Sequence, residues 1–202
     1  MNRSHALRIF VLASIGLFVT LSLAGCSDDK TTSAQFTASR TAPAPGLVKL
    51  EESSRSGSRV AVDVRLYGPG PDLDLFGFRF GIRIGNTSLV NLVPQTTYTQ
   101  TALVADDGQT IAIDVNGVED PGFVQVNIET QGGGAGDGFE AASVVVIRLV
   151  FDVHGSGSTT LTLTGLGLNP PLAIDSTRAP IAPVTFDAAS ASVSGVTTGG
   201  GY

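Results

Sequence analysis

The sequence predicts an all-β protein, a sandwich of two antiparallel sheets, from three observations. Along most of the chain, apolar residues alternate with polar ones at a period of two, the spacing of half-buried strands. The 202 residues include 25 Gly and 10 Pro, which separate the alternating segments at short intervals. Connections are short and little of the chain has helical spacing, which favours antiparallel pairing. Many short strands with one apolar face each predict two sheets packed face to face.

Nine segments fit the alternating pattern, and turn residues separate nearly all of them. Asp106, Asp107 and Gly108, for example, form a turn of the kind that joins hairpin strands. Phe76, Phe78 and Phe80 lie on one face of the second segment and are expected in the core. The nine predicted strands span residues 60–66, 76–84, 89–93, 101–104, 111–115, 124–128, 145–153, 161–163 and 184–193.

The N-terminus has the features of a lipoprotein signal peptide. Arg3 and Arg8 precede an uncharged run at 9–23, shorter than the roughly 20 residues that a spanning helix needs. The run ends in Leu-Ala-Gly-Cys at 23–26, which resembles the lipobox of bacterial lipoproteins, whose cysteine thiol accepts a diacylglyceryl group. We therefore expect a signal peptide at 1–25 and a lipid anchor on Cys26. The protein would be extracytoplasmic, at the outer membrane or cell surface.

Composition divides the remaining chain into three parts. Residues 26–52 are rich in Ser, Thr, Ala and Pro without an apolar period, which predicts a flexible linker behind the lipidated cysteine. Residues 53–196 carry the strand pattern and form the predicted sandwich. Residues 197–202 end in three glycines and a tyrosine, and we expect a disordered tail.

Composition also disfavours several functions. A formal charge of −6, from 12 basic and 18 acidic residues, argues against nucleic-acid binding. One cysteine and two histidines leave no disulfide framework, CxxC motif or histidine-rich zinc site. The glycine-rich stretch at 132–138 lacks the Gly-Lys-Ser/Thr of a phosphate loop. We expect neither an enzyme nor a bound cofactor.

Calcium is a weaker possibility in the acidic turns. Asp106, Asp107, Glu119 and Asp120 could offer oxygen ligands, and Asp114 lies near them in sequence. Their spacing does not match the calcium-binding loop of an EF-hand. Acidic side chains in turns more often accept hydrogen bonds from turn amides.

Four segments together resemble the cohesin domain of cellulosome scaffolds and cell-surface proteins. They are the valine-alternating strand at 60–66, Leu-Phe-Gly-Phe-Arg-Phe at 75–80, Leu-Val-Phe-Asp-Val at 149–153 and Gly-Ser-Gly-Ser-Thr-Thr-Leu-Thr-Leu at 155–163. The resemblance covers about residues 59–195. Where cohesins often carry a Tyr-Asp-Pro-like turn after the second strand, this chain has Gly-Asn-Thr-Ser at 85–88. The resemblance implies a nine-stranded jelly roll that binds a dockerin-type protein, a partner with a pair of calcium-loop helices.

The resemblance also implies a binding face. In cohesins, strands 8, 3, 6 and 5 form the sheet that receives the partner, and strands 9, 1, 2, 7 and 4 form the other. Projecting the predicted strands onto that order gives an acidic-amide face with these candidate partner-binding residues: Asn91, Asp114, Gln125, Asn127, Glu129 and Thr162. The opposite sheet would carry an arginine-bearing face with Asp63, Arg65, Arg79, Arg83, Arg148 and Asp152.

Two other functions remain open at this stage. A related sandwich could bind polysaccharide, although Trp is absent and Tyr67 and Tyr98 are far apart in sequence. A structural or adhesion lipoprotein of the envelope would instead associate through the edge strands that an open sandwich exposes.

Overall fold

The computed structural model describes residues 31–68, 70–105, 108–117, 120 and 122–198. The predicted signal peptide and Cys26 lie outside these residues. The described part forms strands and loops without a helix, so it contains no helical segment able to cross a membrane. The strands are β1 Thr31–Thr37, β2 Leu47–Ser56, β3 Arg59–Tyr67, β4 Gly70–Leu75, β5 Gly77–Ile84, β6 Val90–Val93, β7 Thr110–Asn116, β8 Phe123–Gln131, β9 Asp137–Phe139, β10 Ser143–Val153, β11 Gly157–Thr164, β12 Leu172–Ile174, β13 Thr185–Phe186 and β14 Ala191–Thr198.

The strands form two large sheets, as predicted. Sheet A has the order β1-β14-β11-β5-β8-β7, with β12 also paired to β5. Sheet B has the order β13-β2-β3-β10-β6, and β4 and β9 form a separate ribbon. All pairs are antiparallel except β13 with β2. The all-β sandwich is confirmed.

The core lies between the sheets and follows the period of two. In β8, Val124, Val126 and Ile128 are buried while the intervening residues are half-buried on the other face. Phe78 and Phe80 of β5 are fully buried, which confirms that the phenylalanine stripe faces inward. Burying each such ring contributes about 2–3 kcal/mol relative to leaving it exposed.

The folded part begins earlier than the predicted boundary at residue 53. Residues 31–37 form β1 on the edge of sheet A, and residues 47–56 form β2 inside sheet B. The prediction fails because β1 has only Ala34 and Phe36 as apolar inward residues and β2 is polar over its second half. Backbone pairing with neighbouring strands stabilises β1 and β2, and such pairing cannot be predicted from amino-acid composition.

The segment between β1 and β2 is also fixed, by contacts with residues distant in sequence. Ser39 and Thr41 donate hydroxyl hydrogen bonds to the Asp187 carboxylate, the second at 2.9 Å. The Lys49 ammonium donates to the Thr41 carbonyl at 2.7 Å. Burial favours the neutral form of Asp187, but the hydrogen bonds from Ser39, the Ala189 amide and Thr41, together with Lys49, outweigh it and lower the pKa of the carboxyl.

Three other strand predictions change. Residues 101–104 form no strand; instead the amides of Thr101 and Ala102 donate to the Val145 carbonyl of β10. The predicted ninth strand is two, β13 in sheet B and β14 in sheet A. The end of β14 includes Thr197 and Thr198, which were expected in the tail.

The undetected β2 also displaces the predicted strand order. Because the prediction assigns β2 to the linker, β3, β5 and β6 each receive a number one too low, and the false strand at 101–104 restores the count from β7 onward. β5, the second predicted strand, therefore takes the place of the third and lies between β11 and β8 in sheet A. β6, the third predicted strand, pairs with β10 in sheet B. This exchange decides which side chains share a face.

Candidate partner-binding face

Five of the six predicted binding residues lie on sheet A. Gln125, Asn127 and Glu129 alternate with buried residues along β8, so they lie on its outer face. Asp114 of β7 is opposite Asn127 in the register, and Thr162 of β11 is opposite Arg83. We call this outer surface of β11, β5, β8 and β7 the polar face.

The sixth residue, Asn91, is placed wrongly by the prediction. It lies on β6 in sheet B, opposite Asp152 of β10. In its place, β5 brings Arg79 and Arg83 to the polar face, where Arg79 is opposite Asn127. The face is therefore not the acidic-amide surface expected from the sequence, because it carries two of the arginines assigned to the other sheet.

A cluster of three charges marks one end of this face. Glu129 accepts a hydrogen bond from Arg79 Nη2 at 3.1 Å and another from Arg178 Nε at 2.8 Å. Both arginines remain substantially exposed, whereas Glu129 is mostly covered. We call these residues the open cluster; it carries two positive charges and one negative charge.

Arg178 reaches Glu129 from a tight loop after β12. The Asp175 carboxylate accepts hydrogen bonds from the Thr177 hydroxyl at 2.7 Å and from the Thr177 and Ala179 amides at 2.9 Å each. These bonds, the Thr177 hydroxyl foremost, lower the pKa of Asp175. The loop leaves Arg178 at φ 67°, a left-handed conformation that costs a non-glycine residue about 1–2 kcal/mol. The period-two pattern of the strands could not predict that Arg178 joins the polar face, because Arg178 lies in a loop.

A groove opens beside the open cluster. It is a cavity of about 470 Å³, lined by Arg79, Asn127 and Glu129 on the polar face, and by the loop between β11 and β12 with Leu172. Leu168, at the tip of that loop, is fully exposed. The loop is closed by a bridge between Leu166 and Asn169, and a side chain at Gly165 would meet the Asn169 carbonyl oxygen at 1.7 Å. Arginine is one of the residue types enriched at binding hot spots, and Arg79 lines this groove.

An aromatic ring lies on the other half of the face. Phe123 begins β8 opposite Arg83, whose guanidinium carbon is 5.6 Å from the centroid of the ring. The ring extends over Gly81, where an added Cβ would lie 2.4 Å from ring atoms. Phe123 was absent from the candidate residues, although its odd position in β8 puts it on the same side as Gln125.

Sheet B carries a second cluster of two arginines and one carboxylate. Asp63 accepts hydrogen bonds from Arg148 Nε at 2.7 Å and Arg65 Nη2 at 3.0 Å, and it is fully buried. We call this the sealed cluster. The hydrogen bond to Asp63 is the main cause that raises the pKa of Arg148. Arg148 reaches Asp63 across strands, since the two are opposite in the register of β10 and β3, whereas Asp152 accepts from the Ser58 hydroxyl at 2.6 Å.

The weak calcium candidates do not come together in the described part of the chain. Asp106, Asp107 and Glu119 lie outside the described residues. Asp120 accepts a hydrogen bond from the Gly122 amide at 3.0 Å, the turn contact expected of such a residue. Among the residues that the structure describes, no group of three or more His, Cys, Asp or Glu side chains is placed to hold a metal ion.

Comparison with solved structures finds cohesin domains. A type II cohesin from the cellulosome of Acetivibrio cellulolyticus aligns with a TM-score of 0.47 and 9% identity, over 72% of this chain and 92% of that one. Type II cohesin A11 from Bacteroides cellulosolvens aligns at 0.48 and 11% identity, over 71% and 95%. A type I cohesin–dockerin complex from Clostridium thermocellum aligns at 0.43 and 16%, over 78% and 95%.

The structure is thus similar to cohesin domains, the family that the sequence also resembles. No protein-family model and no curated protein matches the chain.

Proposed function

We propose that this protein is a non-enzymatic, lipid-anchored recognition module of cohesin-like fold that binds a dockerin-type protein on the polar face of sheet A. The observation that carries the proposal is the groove lined by Arg79, Asn127 and Glu129, next to the loop that carries the exposed Leu168. The partner class follows from the resemblance of the sequence to cohesins. Lipidation of Cys26 and a position at the outer membrane or cell surface follow from the signal sequence.

The charges of the groove set the chemistry of the partner. Arg79 and Arg178 share one carboxylate, so each keeps guanidinium donors available to a second acceptor. Carboxylates, or the free carbonyl groups at the C-terminus of a helix, match such donors. Asn127 lies next to Arg79 and can both donate and accept, which adds register to the contact.

The apolar part of the groove supplies the anchor. Leu168 is surrounded by water in the free protein, and burying a leucine contributes about 1.5–3 kcal/mol. Leu166 and Leu172 line the adjoining wall of the groove. An apolar side chain of a partner helix would fit between this wall and the open cluster.

A capture experiment tests the proposal. The soluble protein, beginning at Ser27, is immobilised and exposed to secreted proteins of its source organism in calcium and then in chelator. A dockerin-type partner is retained in calcium and released by chelator, because its calcium loops hold its helices. Retention of no protein in either buffer contradicts the proposal; glycan binding in the same format would identify the carbohydrate alternative.

Matched amide variants then locate the face. With the captured partner, Asn127→Ala combined with Gln125→Ala should weaken binding at least tenfold, with little change in melting temperature. Asn91→Ala, on the other sheet, is the control and should bind as the wild type does. Full binding by the double variant would show that the polar face is not the docking surface.

A further inference from the structure

We propose that strand β1 holds the sandwich directly against the bilayer, with the end that contains Thr31 facing the lipid headgroups and the groove facing away. The inference rests on the lipid anchor at Cys26, which is part of the proposed function, but not on the identity of the partner. It concerns a second interaction surface, whose partner is a lipid surface.

The first step is the length of the tether. Only four residues, 27–30, separate Cys26 from Thr31, where β1 begins, so five Cα–Cα steps join the two. At about 3.3–3.6 Å per residue, a fully extended chain spans at most about 18 Å between them. A flexible linker reaching residue 52, as the composition predicts, would have spanned up to about 90 Å. Because β1 is folded, the chain between the lipid anchor and the folded domain is much shorter than the sequence predicts.

The second step is that β1 is held on both sides. It pairs with β14 along its whole length, from Thr31 opposite Thr198 to Thr37 opposite Ser192. On its other side the Ala34 amide donates to the Gly57 carbonyl, in the turn between β2 and β3, at 2.8 Å. Ala34 is 1% exposed and Phe36 packs against the core. Detaching β1 would expose these side chains and break the pairing, so the short tether persists in the folded protein.

The third step is the nature of the end that meets the membrane. Thr31 and Thr32 line a shallow depression with the turns at Gly57 and at His154, so these turns lie at the same end. Arg59 begins β3 beside the first turn and is exposed. Asp152 lines the same depression and lies opposite Arg59 in the register of β10 and β3, so the end is polar with one charge of each sign, which suits zwitterionic headgroups.

The fourth step places the groove at the opposite end. Strand registers allow the distance to be followed across sheet A: three residues along β14 from Thr198 to Gly195, four along β11 from Gly157 to Leu161, and five along β5 from Ile84 to Arg79. At about 3.3 Å per residue, Arg79 lies up to roughly 40 Å farther from the anchor than Thr31. A domain seated on the bilayer would present the groove outward.

Fluorescence quenching on the full lipidated protein tests this orientation. Ser156→Cys lies in the exposed turn near Thr31, and Leu168→Cys lies in the loop whose residues Leu166 and Asn169 line the groove. Each variant is labelled with an environment-sensitive dye, since the thiol of a lipidated Cys26 is unavailable to the label. The protein is reconstituted in vesicles of phosphatidylethanolamine and phosphatidylglycerol that contain a headgroup spin label. Severalfold stronger quenching at position 156 than at 168 supports the proposal, and equal quenching overturns it.

Two controls separate the steps. Inserting a flexible segment of about 20 Gly and Ser residues before Thr31 should abolish the difference, because the tether then exceeds the length of the sandwich. A persistent difference would mean that the short tether is not its cause and would overturn the mechanism. The Cys26→Ser variant should not bind the vesicles. If the wild-type protein also fails to bind them, the lipid anchor and this proposal are both wrong. Partner capture by the soluble protein is independent of that result, so the two proposals can fail separately.

Discussion

The two arginine–carboxylate–arginine clusters of this protein have the same charges but carboxylates that differ in burial. In the sealed cluster on sheet B, the side chain of Asp63 is 0% exposed. In the open cluster on sheet A, the side chain of Glu129 is 23% exposed, and Arg178 reaches it from a loop outside the central strands. Each carboxylate accepts hydrogen bonds from two arginines. The clusters differ in the burial of the carboxylate and in whether the arginines lie on strands or in a loop, and these differences separate their roles.

The sealed cluster is part of the folding energy. Asp63 has lost its hydration, and hydrogen bonds from Arg148 and Arg65 compensate that loss, so removing both arginines would leave a buried charge without compensation. The open cluster keeps contact with water, and ion pairs of that kind contribute roughly 0–1 kcal/mol to stability. Its arginines can exchange water for a partner's acceptors at small cost. The difference is therefore that between a structural contact and a recognition contact.

The largest effect is expected at the sealed cluster. Asp63→Ala should lower the free energy of unfolding by about 3 kcal/mol, because the hydrogen bonds that Arg148 and Arg65 donate to its charged carboxylate are lost. Urea denaturation measures this change. Asp152→Ala, on the same sheet but bonded to a serine hydroxyl, is the matched control and should cost about 1 kcal/mol. Equal losses for both variants would remove the distinction between the clusters.

An intermediate effect is expected at Asp187, which is nearly buried and accepts hydrogen bonds from Ser39, Thr41 and the Ala189 amide. Asp187→Asn should lower stability by about 2 kcal/mol at pH 7, since bonds to a charged acceptor are the stronger ones. The folded protein lowers the pKa of Asp187, so this stabilisation is complete above the ordinary carboxyl range near pH 4 and disappears as the pH falls through the lowered value.

Denaturation at a series of pH values checks this prediction. The stability difference between wild type and the Asp187→Asn variant should shrink on acidification below about pH 4. A difference that stays constant over that range would show that the carboxylate charge does not hold the segment between β1 and β2.

A smaller effect on stability is expected at the open cluster. Glu129→Ala should change the free energy of unfolding by less than about 1 kcal/mol. Binding of the captured partner should nevertheless weaken, because Arg79 and Arg178 lose the carboxylate that orients them. Calorimetric titration and urea denaturation of one preparation measure both quantities. Stability loss as large as that of Asp63→Ala would show that the open cluster is also structural.

The two clusters also show which features the sequence predicts. Alternation at a period of two predicts the sandwich, the inward Phe78 and the outward residues of β8, because these depend only on strand geometry. It cannot predict β1, whose stability comes from pairing with β14 at the other end of the chain. Because β2 was missed, the prediction assigned Asn91 and Arg79 to the wrong sheets. The error in strand count therefore gave a wrong charge distribution for the predicted binding face.

The smallest effect on stability, and the sharpest test, is expected at Arg178. Its φ of 67° is strained for an arginine and relaxed for glycine, so Arg178→Gly gains about 1 kcal/mol and loses a surface ion pair of about 0.5 kcal/mol. The variant should melt at or slightly above the wild-type temperature while binding the partner at least several-fold more weakly. Arg178→Ala keeps the strain and loses the same pair, so it should bind equally weakly and melt lower. If Arg178→Gly instead binds at full strength, the strained loop has no role in recognition, and the open cluster reduces to Arg79 and Glu129 on the sheet.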